Sequence, residues 1–472
     1  MRDNDDKEID KSKFMERNKM DKKTMMENLA RAAYEKGAFN GTWLYAENGE
    51  IVSKGALGFR DIENRIPVTE ESVFDIASIT KQFTATAIML LRRRGLLDLD
   101  DEITRFFPEV PYPGITIRHL LTHTSGFSDL DEDIERISEA EGVIPGSDVV
   151  IRILHECRPE LTYPTGKGAE YTDTGYQILA EIVEKVSCEK FEAFLEKNIF
   201  EPAGLCSTRV YHRRKDHVGI ENLAEGLVVE DGEYKLPDDS KYKGFVISHD
   251  GLNGNMGVFT NILDLFKWDR VLRAGTLLTP EEQQLMYTPA TLNNGEPARE
   301  EGDEDDYGFG WVLVHDEQLG LIACHSGGVP GYWTWFERFL DIDAVLIQLC
   351  CRQFTDVRAS SAFDSGMEAI VRGREPESLV SIEDIAVKDP DKSRWESFCG
   401  KYEHPEDAEF LVDEVWMQDG ELYARSIDED GDEMTFRLYP IGEDEFGRKG
   451  GMIRLTFGEG CLMFDDFTCK KL

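Results

Sequence analysis

The stretch DIASITKQFTATAIMLL, residues 75–91, is small or apolar on nearly every face of a helix, and such a helix has to be surrounded by protein. That demands a large folded core, which 472 residues can supply together with a further domain. Within this helix Lys81 stands one turn past Ser78. A buried lysine is costly unless paired or deprotonated, and burial lowers its pKa toward that of a general base. Residues three apart are neighbours on a helix, so the amine can reach the hydroxyl. The helix amino terminus adds free N–H groups and a positive dipole end where an oxyanion would form at the serine. The same two residues also fit a serine cap and a lysine that carries its amine to solvent. This stretch alone leaves both readings open.

The spacing Ser-x-x-Lys occurs twice more, at Ser187/Lys190 and Ser240/Lys243. Ser187 falls between two charged amphipathic helices and Ser240 in a polar loop, so both read as solvated. Two other segments favour Ser78. Tyr171-Thr172-Asp173 contains the one tyrosine followed two places later by Asn or Asp, just before a helical pattern. His325-Ser326-Gly327 ends an apolar strand-like run, and the glycines after it let backbone approach a ligand.

Around these motifs the chain opens with two β-rich runs about Asn48-Gly49, a hairpin turn pair. Helical patterns dominate from about 78 to 200, strands return in LGLIACHSG, GYWTWFERFLD and AVLIQLCCR as an antiparallel meander, and ASSAFDSGMEAIVRG closes as a helix. Residues 374–393 have the proline and charge content of a linker, and hairpin-like runs follow it. The expected organisation is a charged, flexible tail at 1–23, a catalytic domain at 24–375, a linker at 376–393 and a small β-rich domain at 394–472.

With 93 Asp and Glu against 53 Lys and Arg, the net charge of -40 disfavours nucleic acid and anionic lipid as partners. The acidic run at 300–306 reads as a solvated loop tip. The amino-terminal residues show no secretion-signal core and no stretch has the length of a membrane span, so a cytoplasmic location is expected. Nine cysteines without a CxxC pair, among them Cys324, Cys350 and Cys351 in apolar runs, read as reduced core residues.

The order Ser78-x-x-Lys81, Tyr171-x-Asp173, His325-Ser326-Gly327 resembles the signature of the serine β-lactamase and penicillin-binding protein superfamily, in particular the soluble, esterase-like members of its class C branch. FNGT, IRHLLTHTSGF, PTGKGAEYTDTGY, IFEPAGL, YGFGW and HSGGVPGY extend the resemblance over roughly 38–373. It implies a mixed α/β fold of the β-lactamase/D,D-peptidase type: an antiparallel sheet flanked by helices, a helical lobe, and an appended β module. Ser78 would be the nucleophile, with Lys81 and Tyr171 sharing the proton transfers. Which of the two takes the serine proton stays open. The backbone N–H groups of Ser78 and Gly328 would form the oxyanion hole, with His325 and Ser326 on the floor of the site.

Two positions depart from the pattern. His325 stands where many β-lactamases carry lysine, which weakens the positive charge offered to a carboxylate. Asp173 replaces asparagine; facing the site it should hold Lys81 charged, shift the base role toward Tyr171, and provide a carboxylate for a substrate amine, as an aminopeptidase would need. The implied activity is hydrolysis of small amides, esters or D-amino-acid peptides, without metal or cofactor. The alternative is a penicillin-binding or scaffold protein that keeps the fold without turnover. His123 invites pairing with Ser125, but adjacent loop residues seldom meet in catalytic geometry, and the resemblance makes this stretch architectural. PTGKG lacks the phosphate-loop pattern. GLNGNMG, 251–257, reads as a tight loop bordering the cleft, Trp333 and Trp335 as core or cleft wall, and Trp311 as core.

Overall fold

The computed structural model describes residues 21–230, 233–300, 302, 304–352, 357–380, 382–403, 412–427, 433–448, 454–458, 460–464 and 467–472. Residues 1–20 of the expected tail fall outside these, and residues 21–23 already belong to a helix running to 35. The chain packs as two compact units, one containing Asn40–Gln353, the other Thr24–Phe39 and Phe354–Leu472.

The first unit is built on an antiparallel sheet whose strands are β1 (Gly41–Glu47), β2 (Glu50–Leu57), β3 (Asp306–Tyr307), β4 (Val312–Asp316), β5 (Gly320–Val329), β6 (Tyr332–Phe339) and β7 (Ala344–Cys350). Their order across the sheet is β3-β4-β5-β6-β7-β1-β2. The expected meander is β5-β6-β7, and the opening hairpin joins it through Gly41↔Cys350 to Glu47↔Ala344. Asn48 and Gly49 both take positive φ, 51° and 77°, as a two-residue hairpin turn requires. Strand β7, AVLIQLC, is buried along its whole length, which explains a run apolar at every position but Gln348, whereas β5 shows mixed burial.

The apolar segment of the opening argument becomes a 3₁₀ turn, Ala77–Ile79, leading into helix α1 (Thr80–Arg93). Every residue of α1 from Thr80 to Leu91 is buried. Phe83 packs edge-on to Phe200 (5.4 Å between centroids) and against Trp268 (4.8 Å). Helix α2 (Asp173–Ser187) lies alongside α1, so the Tyr171–Asp173 segment at its start meets the start of α1.

In the second unit, Phe39 meets Phe363 of the closing helix, Val357–Val371, at 4.8 Å. The expected hairpins close into a barrel of eight strands among the described residues, from Gly400–Glu403 to Phe467–Lys471, sealed by the register Tyr402↔Lys471. Its interior is filled by side chains such as Phe398, stacked on Phe457 at 4.5 Å. Inside the stretch expected as linker, Ile382–Ile385 forms a helical turn.

Cys324, Cys350 and Cys351 are buried as expected, whereas Cys157, Cys188 and Cys206 are exposed; all nine cysteines are free. Among the described residues no helix is long and apolar enough to cross a membrane, and no group of three or more His, Cys, Asp or Glu side chains could hold a metal ion.

Candidate active site

Ser78 sits in the 3₁₀ turn ahead of α1, directly after Ala77, whose φ is +46°. Few non-glycine residues adopt that backbone, and here the Asp75 carboxylate accepts the Ala77 N–H at 2.9 Å. Strand β5 runs close against this turn. A Cβ on Gly327 would lie 2.2 Å from the Ile76 carbonyl oxygen and 2.3 Å from Thr334 Oγ1, so glycine is what lets strand and turn meet. Gly310 of YGFGW plays the same part at Lys81, where a Cβ would lie 2.8 Å from the lysine's carbonyl oxygen.

Lys81 is fully buried, and its amine donates to Ser78 Oγ (2.9 Å), Asp173 Oδ1 (2.6 Å) and the Asn255 carbonyl (3.4 Å). An ammonium has three N–H donors and no acceptor, and it finds three acceptors here. Burial drives the Lys81 pKa down, but Asp173 and Tyr171 outweigh it, and the net shift is upward. Burial likewise raises Asp173, and Lys81 more than reverses this, leaving the carboxyl below its usual range. Asp173 thus faces the site and holds Lys81 charged. Desolvation raises the Tyr171 hydroxyl above the ordinary phenol value, partly offset by Lys81. The ammonium lies 4.7 Å from the centroid of the Tyr171 ring, which is 36 % exposed.

His325 lies on β5 beneath these groups. Its Nδ1 is 2.6 Å from the Ser326 carbonyl, which can only accept, so Nδ1 carries the hydrogen and Nε2 accepts from the Tyr307 hydroxyl at 2.9 Å. Burial, with Lys81 nearby, lowers the His325 pKa to about 4. The ring is neutral at pH 7 and supplies no positive charge.

A cleft of about 420 Å³ opens over Ser78, Tyr171, His325, Ser326 and Gly328, and Trp333 forms part of its wall. Residues 301 and 303 of the acidic run are outside the described set; Gly302, Glu304 and Asp305 are exposed as a solvated loop is, but Glu300, Asp305 and Asp306 also line this cleft together with Glu170. Glu300 and Asp306 are tied inward. The Tyr171 N–H donates to Glu300, and Asp306, 7 % exposed, accepts from Arg299 at 2.7 Å. With Lys81 engaged by Asp173 and Arg299 by Asp306, the described lining of the cleft is acidic.

The structure brings Ser78, Lys81, Tyr171, Asp173, His325, Ser326 and Gly328 to one place, while Gly327 is the contact of β5 with the Ile76 carbonyl. The 251–257 loop borders the site through Asn255 and, at Gly254, accepts from Thr84 at 2.7 Å. His123 makes no pair with Ser125, whose Oγ accepts from the Phe127 N–H. It does line the cleft, with its ring 4.4 Å from that of Tyr171. Sequence reasoning missed Tyr307, Asn255 and Asp129. Only YGFGW and GLNGNMG, both singled out for other reasons, pointed near the first two.

Comparison with known proteins places the chain in a family. Residues 25–368 match the family described as Beta-lactamase. Penicillin-binding protein 4* of Bacillus subtilis (strain 168) is 32 % identical over 444 residues, covering 94 % of this chain and 95 % of that protein. Esterase EstB of Burkholderia gladioli is 25 % identical over 334 residues, 64 % of this chain and 84 % of EstB. The octameric penicillin-binding protein homologue from Pyrococcus abyssi superposes with a TM-score of 0.63 at 21 % identity, covering 95 % and 99 % of the two chains. The match over most of the chain and the 32 % identity to a relative covered nearly end to end show that the chain belongs to the beta-lactamase family and is a serine hydrolase.

Proposed function

We propose that the chain hydrolyses small amides, esters or D-amino-acid peptides through an acyl-enzyme on Ser78, and that it favours uncharged or cationic substrates over carboxylates. The observation that carries this reading is the hydrogen bond from Lys81 Nζ to Ser78 Oγ within a site whose lining is acidic. The match over 25–368 supports a catalytic domain spanning 24–375. A relative named as an esterase supports esters as one substrate class.

At rest Lys81 is an ammonium and Tyr171 a phenol, so neither can take a proton. Loss of one proton from this pair creates the base, and Asp173, by holding Lys81 charged, assigns that loss to Tyr171. The phenolate then removes the Ser78 proton as Oγ attacks the substrate carbonyl. The N–H groups of Ser78 and Gly328 receive the oxyanion. Collapse expels the amine or alcohol, which leaves with the proton held by Tyr171. Water, deprotonated by the same phenolate, releases the acid and restores Ser78.

A panel of neutral esters, D-amino-acid anilides with a free amine, carboxylate-bearing analogues and a fluorescent penicillin tests this. The expected result is turnover of neutral and amine-bearing members at higher kcat/KM than their anionic counterparts, abolished by Ser78→Ala. Turnover that survives Ser78→Ala overturns the assignment. Penicillin labelling without turnover of any member favours the non-hydrolytic alternative.

A further inference from the structure

Three successive amides at the start of α2 are received by side chains of one loop. Thr172 N–H donates to His123 Nδ1 at 3.2 Å, and the Asp173 and Thr174 N–H groups donate to Asp129 Oδ1 at 2.7 and 3.3 Å. Two further bonds complete the clasp. The Glu170 N–H donates to the His123 carbonyl at 3.0 Å, and Thr174 Oγ1 donates to the Ser128 carbonyl at 2.9 Å. The residues held this way are those that carry Tyr171 and Asp173 into contact with Lys81.

We infer that His123 is a positioning residue for Tyr171 and Asp173, acting as a neutral acceptor through the Thr172 amide; this rests on the acyl-enzyme reading above. Several features mark it as more than packing. The ring is 5 % exposed and stands among Tyr171, Tyr176 and Tyr307, at 4.4, 5.3 and 4.5 Å between centroids. Its backbone is left-handed, φ +56°, a conformation in which His, like Asn and Asp, is enriched among non-glycine residues. An amide N–H can only donate, so Nδ1 must be unprotonated and Nε2 carries the hydrogen. Nε2 is buried without a hydrogen-bond partner among the described residues. Packing alone does not call for an acceptor nitrogen aimed at one backbone amide; a strut does, and Nδ1 supplies it to Thr172. Asp129 is the second half of the strut, serving the next two amides at the helix start.

The test compares His123→Gly with His123→Asn, both compatible with the left-handed backbone. Glycine removes the acceptor and the ring; asparagine keeps an acceptor close to the Nδ1 position. A reacting group displaced by about 1 Å loses on the order of 10²-fold in rate. For His123→Gly we expect a fall of that size in kcat with KM within about threefold, and His123→Asn restores most of it. Asp129→Asn, which keeps the acceptor, is the companion should His123→Gly not fold. The pair Asp129→Asn and Asp129→Ala should show the same split in kcat at near-constant KM. Folded His123→Gly with wild-type kcat, or equal losses in His123→Asn and His123→Gly, overturns the inference. Ser78→Ala, run beside them, reports separately on the acyl-enzyme reading: residual turnover there defeats that reading whatever His123 does.

Discussion

At the scale of single residues, the chemistry turns on how charge is shared among Lys81, Tyr171 and Asp173. The negative charge of Asp173 raises the pKa of both Lys81 and Tyr171, so the fully protonated, inactive form of the pair persists to higher pH. Asp173→Asn removes that upward pull from both groups, so the first proton leaves the pair more readily. The rising limb of kcat/KM against pH should therefore move to lower pH in this variant; a limb that stays in place or moves up contradicts the assignment. Tyr307→Phe is expected to free His325 Nε2 and let the ring take a proton more readily, improving kcat/KM for carboxylate-bearing substrates relative to neutral ones. An unchanged ratio would show that Tyr307 does not set the charge of the floor. Ser78, Lys81 and Tyr171 were legible because three motifs in one order constrain each other. Tyr307, Asn255 and Asp129 were not, since each acts through a partner distant in sequence; Asp129 lies 44 residues from the amide it receives.

At the scale of elements, the site depends on how closely β5 and the start of α1 approach. Gly327→Ala puts a methyl against the Ile76 carbonyl and Thr334. The strand must then retreat from the turn bearing Ser78, and kcat should fall on the order of 10²-fold with circular dichroism unchanged; wild-type kcat would show the contact to be slack. Deeper in the same helix, Phe83 is fully buried between Phe200 and Trp268. Phe83→Ala should cost about 3–5 kcal/mol in urea denaturation. A loss under 1 kcal/mol would contradict the enclosed position read from the apolar pattern. The helix, the Asn48-Gly49 hairpin and the late strands were readable because their signals are local periodicity and turn chemistry. The sheet order was less so, because joining β1 to β7 is a long-range pairing that no local pattern records. Closure of the carboxy-terminal barrel through Tyr402↔Lys471 stayed hidden for the same reason.

At the scale of the whole molecule, a net charge of -40 surrounds a cleft whose lining is itself acidic. Electrostatic attraction of a cationic substrate weakens as salt screens it, and repulsion of an anionic one is relieved. Raising ionic strength should thus lower kcat/KM for an amine-bearing substrate and raise it for a carboxylate-bearing one. Equal salt dependence for both would separate the charge of the chain from its specificity. The composition foretold the sign of this field, but not that Glu170, Glu300, Asp305 and Asp306 would gather over Ser78, because sequence gives charge without its placement. The chemistry comes down to one bond, the ester between Ser78 Oγ and the acyl group. Mixing enzyme with an ester of slow deacylation, quenching in acid and mapping peptides by mass spectrometry measures it directly. The account requires the acyl mass on the peptide containing Ser78 and its absence in Ser78→Ala; an acyl group on any other residue, or turnover without one, contradicts it.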